Sequence, residues 1–200
     1  MRAPLLATIS FALLMAACGR PEKNDLKKVG AFPVFDEHAV AITKPGFAGI
    51  FFVDPIPVLS IYDSASVGHL SERVAKCYIE LDVEMKRMGA EASGSLGQMM
   101  YNNDTSNFRF ECFCPLKALP KVKPKRGKIV MMDEGDMIVY NHYGPYQNLH
   151  VAYDSIKKIL LDKNIAAAGA MREFYITDPT KENDSAKWLT RVMLPIKVKE

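Results

Sequence analysis

Apolar positions along this chain recur with two periods, and stretches of each period alternate. Leu70, Val74, Cys77, Tyr78, Leu81, Met85 and Met88 return at helical spacing, which predicts an amphipathic helix with one apolar face. Leu149, Ala152, Tyr153, Ile156 and Leu160 predict a second helix of the same kind. Around the helices the period shortens to two. Phe108, Phe110, Cys112 and Cys114 fall on one face of a strand, with Arg109, Glu111 and Phe113 on the other. Trp188, Thr190, Val192 and Leu194 alternate in the same way with Leu189, Arg191 and Met193. Turn formers, Asn102-Asn103-Asp104 and Thr177-Asp178-Pro179, precede these strands.

The order strand, helix, strand, strand therefore occurs twice, over 56–117 and 129–197. Leu70 aligns with Leu149 and Pro115 with Pro195, offsets of 79 and 80. One copy alone cannot bury both its sheet and its helix. Two copies side by side can, so the predicted class is α+β, an antiparallel sheet with two helices on one face. The connector 118–128 belongs to KALPKVKPKRGK, which carries six Lys or Arg, and it reads as solvated. Residues 31–55 hold apolar pieces such as Ala48–Val53 broken by prolines, and read as a lead-in ending in one short strand.

The N-terminus follows neither period. Arg2 precedes an apolar run, Pro4 to Ala17, too short to span a bilayer well, which fits an export signal. The run ends Met15-Ala16-Ala17-Cys18, similar to the bacterial lipobox, in which small residues precede a Cys that is lipidated. Residues 1–18 then read as a lipoprotein signal, Cys18 as the lipid anchor and residues 19–30 as a polar tether. Gly19, in place of Asp, fits outer-membrane sorting if the envelope is Gram-negative.

Composition adds two limits. Apolar residues make up 48% of the chain, enough for a core, and the net charge of +3 is spread out. The basic connector has no interleaved aromatics, so nucleic acid is not an expected partner, and no protein partner is inferred. Cys77, Cys112 and Cys114 remain beyond the anchor. Cys112 and Cys114 share a strand face, where a direct bond would strain the backbone, so they read as small buried hydrophobes. No Cys or His falls at metal-ligand spacing, no cofactor motif is present, and no nucleophile, phosphate-loop or H-E-x-x-H pattern occurs.

The second copy carries HYGPYQNLHVAY, then REFYITDP, then WLTRVMLPIK. In order and spacing these resemble the GyrI-like family, the effector-binding domain of AraC- and MerR-type regulators and of standalone proteins. The SOUL haem-binding family shares the fold. The resemblance implies two pseudo-symmetric halves with a ligand cleft between them. It implies binding of hydrophobic, often cationic, compounds through aromatics and a buried acid; some members are hydrolases using a Glu with a Tyr. The family acid is expected in the last strand, in a pattern like L-T-E-x-x-x-P. Here that stretch reads Leu189-Thr190-Arg191-Val192-Met193-Leu194-Pro195, with a base where the acid is expected.

These readings set the candidates. Glu111 aligns with Arg191 and is expected to pair with it in the cleft, or to tune it toward an anionic ligand group. Glu173 is the alternative acid. Tyr101 and Tyr175 match as MMY and EFY, and Tyr140 and Trp188 are the remaining strand aromatics. No catalytic residue is assigned. The expected function is binding of a small, partly hydrophobic ligand by an envelope-anchored domain. The alternatives are a hydrolase of small electrophiles using a Glu/Tyr pair, and a tetrapyrrole binder.

Overall fold

The computed structural model describes residues 32–36 and 43–198. The signal segment, Cys18 and the tether to residue 30 lie outside the described residues. Within the described residues the elements run β1 (Gly46–Val53), β2 (Ile56–Ala65), α1 (Leu70–Met88), β3 (Gly97–Met100), β4 (Phe108–Pro115), β5 (Lys128–Met132), β6 (Gly135–Tyr143), α2 (His150–Asp162), β7 (Ile165–Ala167), β8 (Met171–Tyr175) and β9 (Leu189–Val198). The strands form one antiparallel sheet in the order β1-β6-β9-β8-β3-β4-β2-β5, with β7 beside the end of β9.

Both helices lie on the same face. Leu59 and Ile61 of β2 and Phe110, Cys112 and Cys114 of β4 pack on the α1 stripe formed by Cys77, Leu81, Met85 and Met88. Ile138 of β6 and Val192, Leu194 and Ile196 of β9 pack on Leu149, Ala152 and Ile156. The expected apolar stripes are thus the buried ones. Helix α1 stops at Gly89, whose φ of 61° lets the chain turn out of the helix. Among the described residues, Cys77, Cys112 and Cys114 are buried free thiols. Burial beside Asp63 pushes the Cys77 thiol up to about 11.

The opposite face holds a third cluster. Val53, Val58, Phe113, Met132, Met137, Val139, Phe174 and Met193 come together there, although their strands span the whole sheet order. Only a curled sheet brings such distant strands into contact, and the architecture is a half-barrel with this cluster on its concave side. The curl also explains two short links. β1 passes into β2, and β5 into β6, through two residues each, yet each pair of strands sits toward opposite edges of the sheet.

Each half therefore carries a lead strand that pairs with the other half: β1 with β6, and β5 with β2. The sequence predicts a single short strand before residue 56 and a bare connector before 129. The longer β1 escapes periodicity because a bulge shifts its register between Phe47 and Gly49. Gly49, at φ +148°, takes a conformation unfavourable to side chains. Residues 33–35 add an outer rung on β1, with Phe35 N bonded to Phe52 O at 2.7 Å.

β3 and β8 meet at the centre, where the two halves join. The approach requires Gly97. A Cβ there would lie 2.2 Å from the Phe113 ring and 2.4 Å from the backbone oxygen of Glu173. Gly97→Ala is expected to destabilise the fold by about 1–3 kcal/mol through overpacking, read as a lower urea midpoint at unchanged slope. An unchanged midpoint would show that the junction is loose.

Candidate functional site

The central strands place Glu173 on the helix face, directly opposite Gln98 across the join between the halves. Glu173 is only 4% exposed. A carboxylate so buried requires donors, and two tyrosines supply them. The Tyr153 hydroxyl, from α2, donates a short hydrogen bond to Oε1, and the Tyr175 hydroxyl donates to Oε2 at 2.8 Å. Burial nevertheless dominates and pushes the Glu173 carboxyl above the usual carboxylate range, with the two hydroxyls opposing the shift. Burial and the neighbouring Glu173 charge likewise raise Tyr153 and Tyr175.

Aromatic rings extend outward from this carboxylate. Tyr175 meets Tyr78 of α1 edge to face at 6.3 Å and Tyr146 at 5.2 Å. Tyr146 in turn tilts against Trp188 at 5.1 Å. Tyr146 sits in the turn after Gly144-Pro145 that starts α2, so the strand-to-helix corner delivers it to the cleft. The Trp188 indole donates to Glu182 O at 2.7 Å, which fixes its ring at the rim. Over these rings opens a cavity of about 620 Å3 between α1 and the turn that leads into α2, lined by Val74, Tyr78, Leu96, Tyr146, Tyr175 and Ile176, with Asp178 and Lys181 at its edge. Tyr175 lines the cavity and holds Glu173, so a ligand in the cavity meets the acid through that hydroxyl.

The sequence candidates separate into three places. Tyr175 lines the helix-side cleft, with Glu173 bonded behind it and Trp188 packed on the lining ring of Tyr146. Tyr140 packs in the α2 core. Tyr101, Glu111 and Arg191 lie on the concave face. The matched tyrosines of MMY and EFY thus point to opposite faces. The Tyr101 hydroxyl makes a short bond to Glu111, and Lys128 Nζ lies 3.6 Å from the same carboxylate. Arg191 bonds Asn141 Oδ1 at 3.2 Å and stacks over the Phe35 ring at 5.3 Å.

The expected Glu111–Arg191 pair is not formed. β9 and β4 are separated by β8 and β3, which sets these residues roughly 14 Å apart at the usual strand spacing. Arg191 consequently does not touch the helix-side cleft, and the base in the last strand leaves that cleft's acid in place. Sequence reasoning missed Tyr78, Tyr146 and Tyr153 as site residues. The available signal was a tyrosine within each helix's apolar stripe, since a buried phenol needs a polar partner. His142 is buried with its Nε2 3.4 Å from Pro145 O. Among the described residues no group of three His, Cys, Asp or Glu side chains forms a metal site.

Comparison with known proteins places this geometry. The family model described as GyrI-like small molecule binding domain matches residues 53–197. The EcmrR C-terminal domain has a TM-score of 0.65 at 17% identity, over 76% of this chain and 97% of that one. In an EcmrR–DNA complex the TM-score is 0.66 at 18% identity over 76% of this chain, which spans only 57% of that EcmrR chain. SAV2435 bound to tetraphenylphosphonium gives 0.55 at 12% identity, over 76% of this chain and 93% of that one. A hydrolase from Listeria innocua gives 0.53 at 16% identity, over 74% and 91%. At these identities the likeness is one of fold. No curated protein matches the chain.

The raised carboxyl predicts a pH signature. A group whose folded pKa exceeds its unfolded value near 4.5 favours the fold most below that value, and loses the benefit as pH rises through the folded pKa. Glu173→Gln removes this term. Its melting temperature relative to wild type is expected to rise by a few degrees as pH climbs from about 4.5 through the raised carboxyl pKa. A difference that stays flat across that window would show that Glu173 titrates normally.

Proposed function

The chain belongs to the GyrI-like small-molecule binding domain family, and from that premise we propose that it binds a lipophilic ligand bearing a positive charge or a hydrogen-bond donor in the cleft between α1 and the turn that leads into α2. The observation that carries this reading is the buried Glu173 beneath a cavity walled by Tyr78, Tyr146 and Tyr175. Aromatic faces desolvate an apolar ligand and attract a cation. The carboxylate, charged only at a desolvation cost, gains most from a ligand that supplies the missing positive charge. The base at Arg191 does not oppose this, being on the other face. SAV2435, of like fold, is bound to tetraphenylphosphonium, which makes that cation a suitable probe.

The proposal extends to location. Cys18, after the apolar run Pro4 to Ala17, would carry a lipid and hold the domain at the cell envelope through the segment beyond it. Sensing, sequestration or carriage of the ligand at that surface all fit such an arrangement.

A second reading draws on the same residues. A buried carboxyl of raised pKa beside the Tyr153 hydroxyl is suited to general-base work on a small electrophile. It differs from binding alone in one respect: the probe compound would be consumed.

Trp188 is the one tryptophan of the chain and lies against the cleft ring Tyr146. Titration with tetraphenylphosphonium is expected to change its fluorescence saturably, and Glu173→Gln to weaken binding at least tenfold, about 1.4 kcal/mol. Equal affinity in both proteins would remove the acid from the site. For the anchor, labelled palmitate should enter the wild type and not Cys18→Ala; label retained by the variant contradicts it.

A further inference from the structure

The concave face opens at both ends, and the internal two-fold relates the openings. The β1–β2 turn with Asp54, the segment Ser93–Ser95 and Pro115 frame one. The β5–β6 turn with Asp133, the segment Ala168–Ala170 and Pro195 frame the other. Matching backbone bonds brace them: Ser93 N to Pro115 O at 3.0 Å and Ala168 N to Pro195 O at 2.8 Å. The first chamber, about 760 Å3, contains Arg191. The second, about 520 Å3, contains Arg172, Glu111, Tyr101 and Lys128.

We propose that the second chamber is a separate ligand site, which takes a small monocarboxylate with an apolar body and seats the carboxylate on Arg172. Arg172 is 7% exposed. Its Nη1 donates to the backbone oxygen of Asp133 at 3.0 Å and lies 3.8 Å from Met137 Sδ. Among the described residues these are its only hydrogen bonds, and no carboxylate lies within ion-pair distance. Nε and Nη2 make no hydrogen bond to the described residues, and the side chain lines the chamber. Asp133 offers its charge only from beyond ion-pair distance, so the guanidinium is withdrawn from water without a close partner, which is costly, and two neighbouring donors match the two oxygens of one carboxylate.

The rest of the lining selects the ligand class. Glu111 does not compensate Arg172, because Tyr101 and Lys128 already engage it. Val58, Met99, Val130 and Ile196 give an apolar surface, and the small side chains of Ala168–Ala170 leave room beside it. Asp133 and Glu134 stand exposed at the rim. Lys128 and Lys197 balance two of these three acids and leave Arg172 against the third, so the chamber carries no surplus positive charge for a second anionic group, and the apolar wall favours a single carboxylate on an apolar body. The site is independent of the helix-side cleft, since Arg172 and Glu173 are neighbours on β8 that point to opposite faces.

Octanoate is the probe and octanamide its uncharged counterpart, with binding measured by calorimetry on the wild-type protein. Octanoate is expected to bind saturably and at least tenfold more tightly than octanamide. Arg172→Gln should lower octanoate affinity at least tenfold, and Glu173→Gln should leave it unchanged. Ala170→Trp fills the chamber from its wall and should also abolish binding; it decides the matter if Arg172→Gln does not fold. The proposal is overturned if octanamide binds equally well, or if affinity survives in the folded Arg172 or Ala170 variant. It is also overturned if affinity depends on Glu173, or if no saturable binding occurs up to about 10 mM.

Discussion

The buried carboxylate of Glu173 is the constraint on which the site depends. It sits where β3 and β8 join the two halves, opposite Gln98, with almost no exposure to water. A carboxylate there has to be met by donors, and they arrive from two directions: Tyr153 from α2 and Tyr175 from its own strand. Tyr175 also requires room and partners, and it finds Tyr78 and Tyr146. The cavity between α1 and the turn before α2 is the space above that ring cluster. One buried charge thus links the join, the helix positions and the cleft wall.

The half-barrel divides its faces between two kinds of environment. On the outer face, α1 and α2 each cover their own half and leave the junction partly open. On the concave face, the exchange of lead strands ties each half to the other, and Phe113 and Phe174 meet at 5.2 Å in its core. Arg191 and Glu111 occupy equivalent places on that face, one in each end chamber. Their opposite charges do not make a pair because two strands intervene. The pseudo-symmetry repeats the backbone but not the chemistry: Gln98 stands across from Glu173, and only one of the two is an acid.

Much of this was legible in the sequence because the relevant physics is periodic. The stripes from Leu70 to Met88 and from Leu149 to Leu160 are the buried helix faces, and the alternation in β4 and β9 assigns every residue to its observed face. The α+β class, the doubled unit and the family follow from these patterns and from the motifs around Gly144-Pro145 and Pro195. β1 was less legible because its bulge at Gly49 breaks the alternation. The site was half legible for a related reason. Aligning Glu111 with Arg191 correctly gives equivalence but says nothing of distance, which the sheet order alone determines. Matching MMY to EFY shifts the register by one, and in a strand a shift of one exchanges the faces. Tyr78 and Tyr153 satisfy the helical stripe, so periodicity reads them as core and cannot register that their hydroxyls serve an acid on another element.

The central claim is that ligand enters between α1 and the turn before α2 and is held above Glu173. A crystal structure of the protein soaked with tetraphenylphosphonium tests it most directly. The account predicts density for the cation between α1 and the turn before α2, in contact with the rings of Tyr78, Tyr146 and Tyr175. Density in either chamber of the concave face, with the helix-side cavity empty, would contradict it.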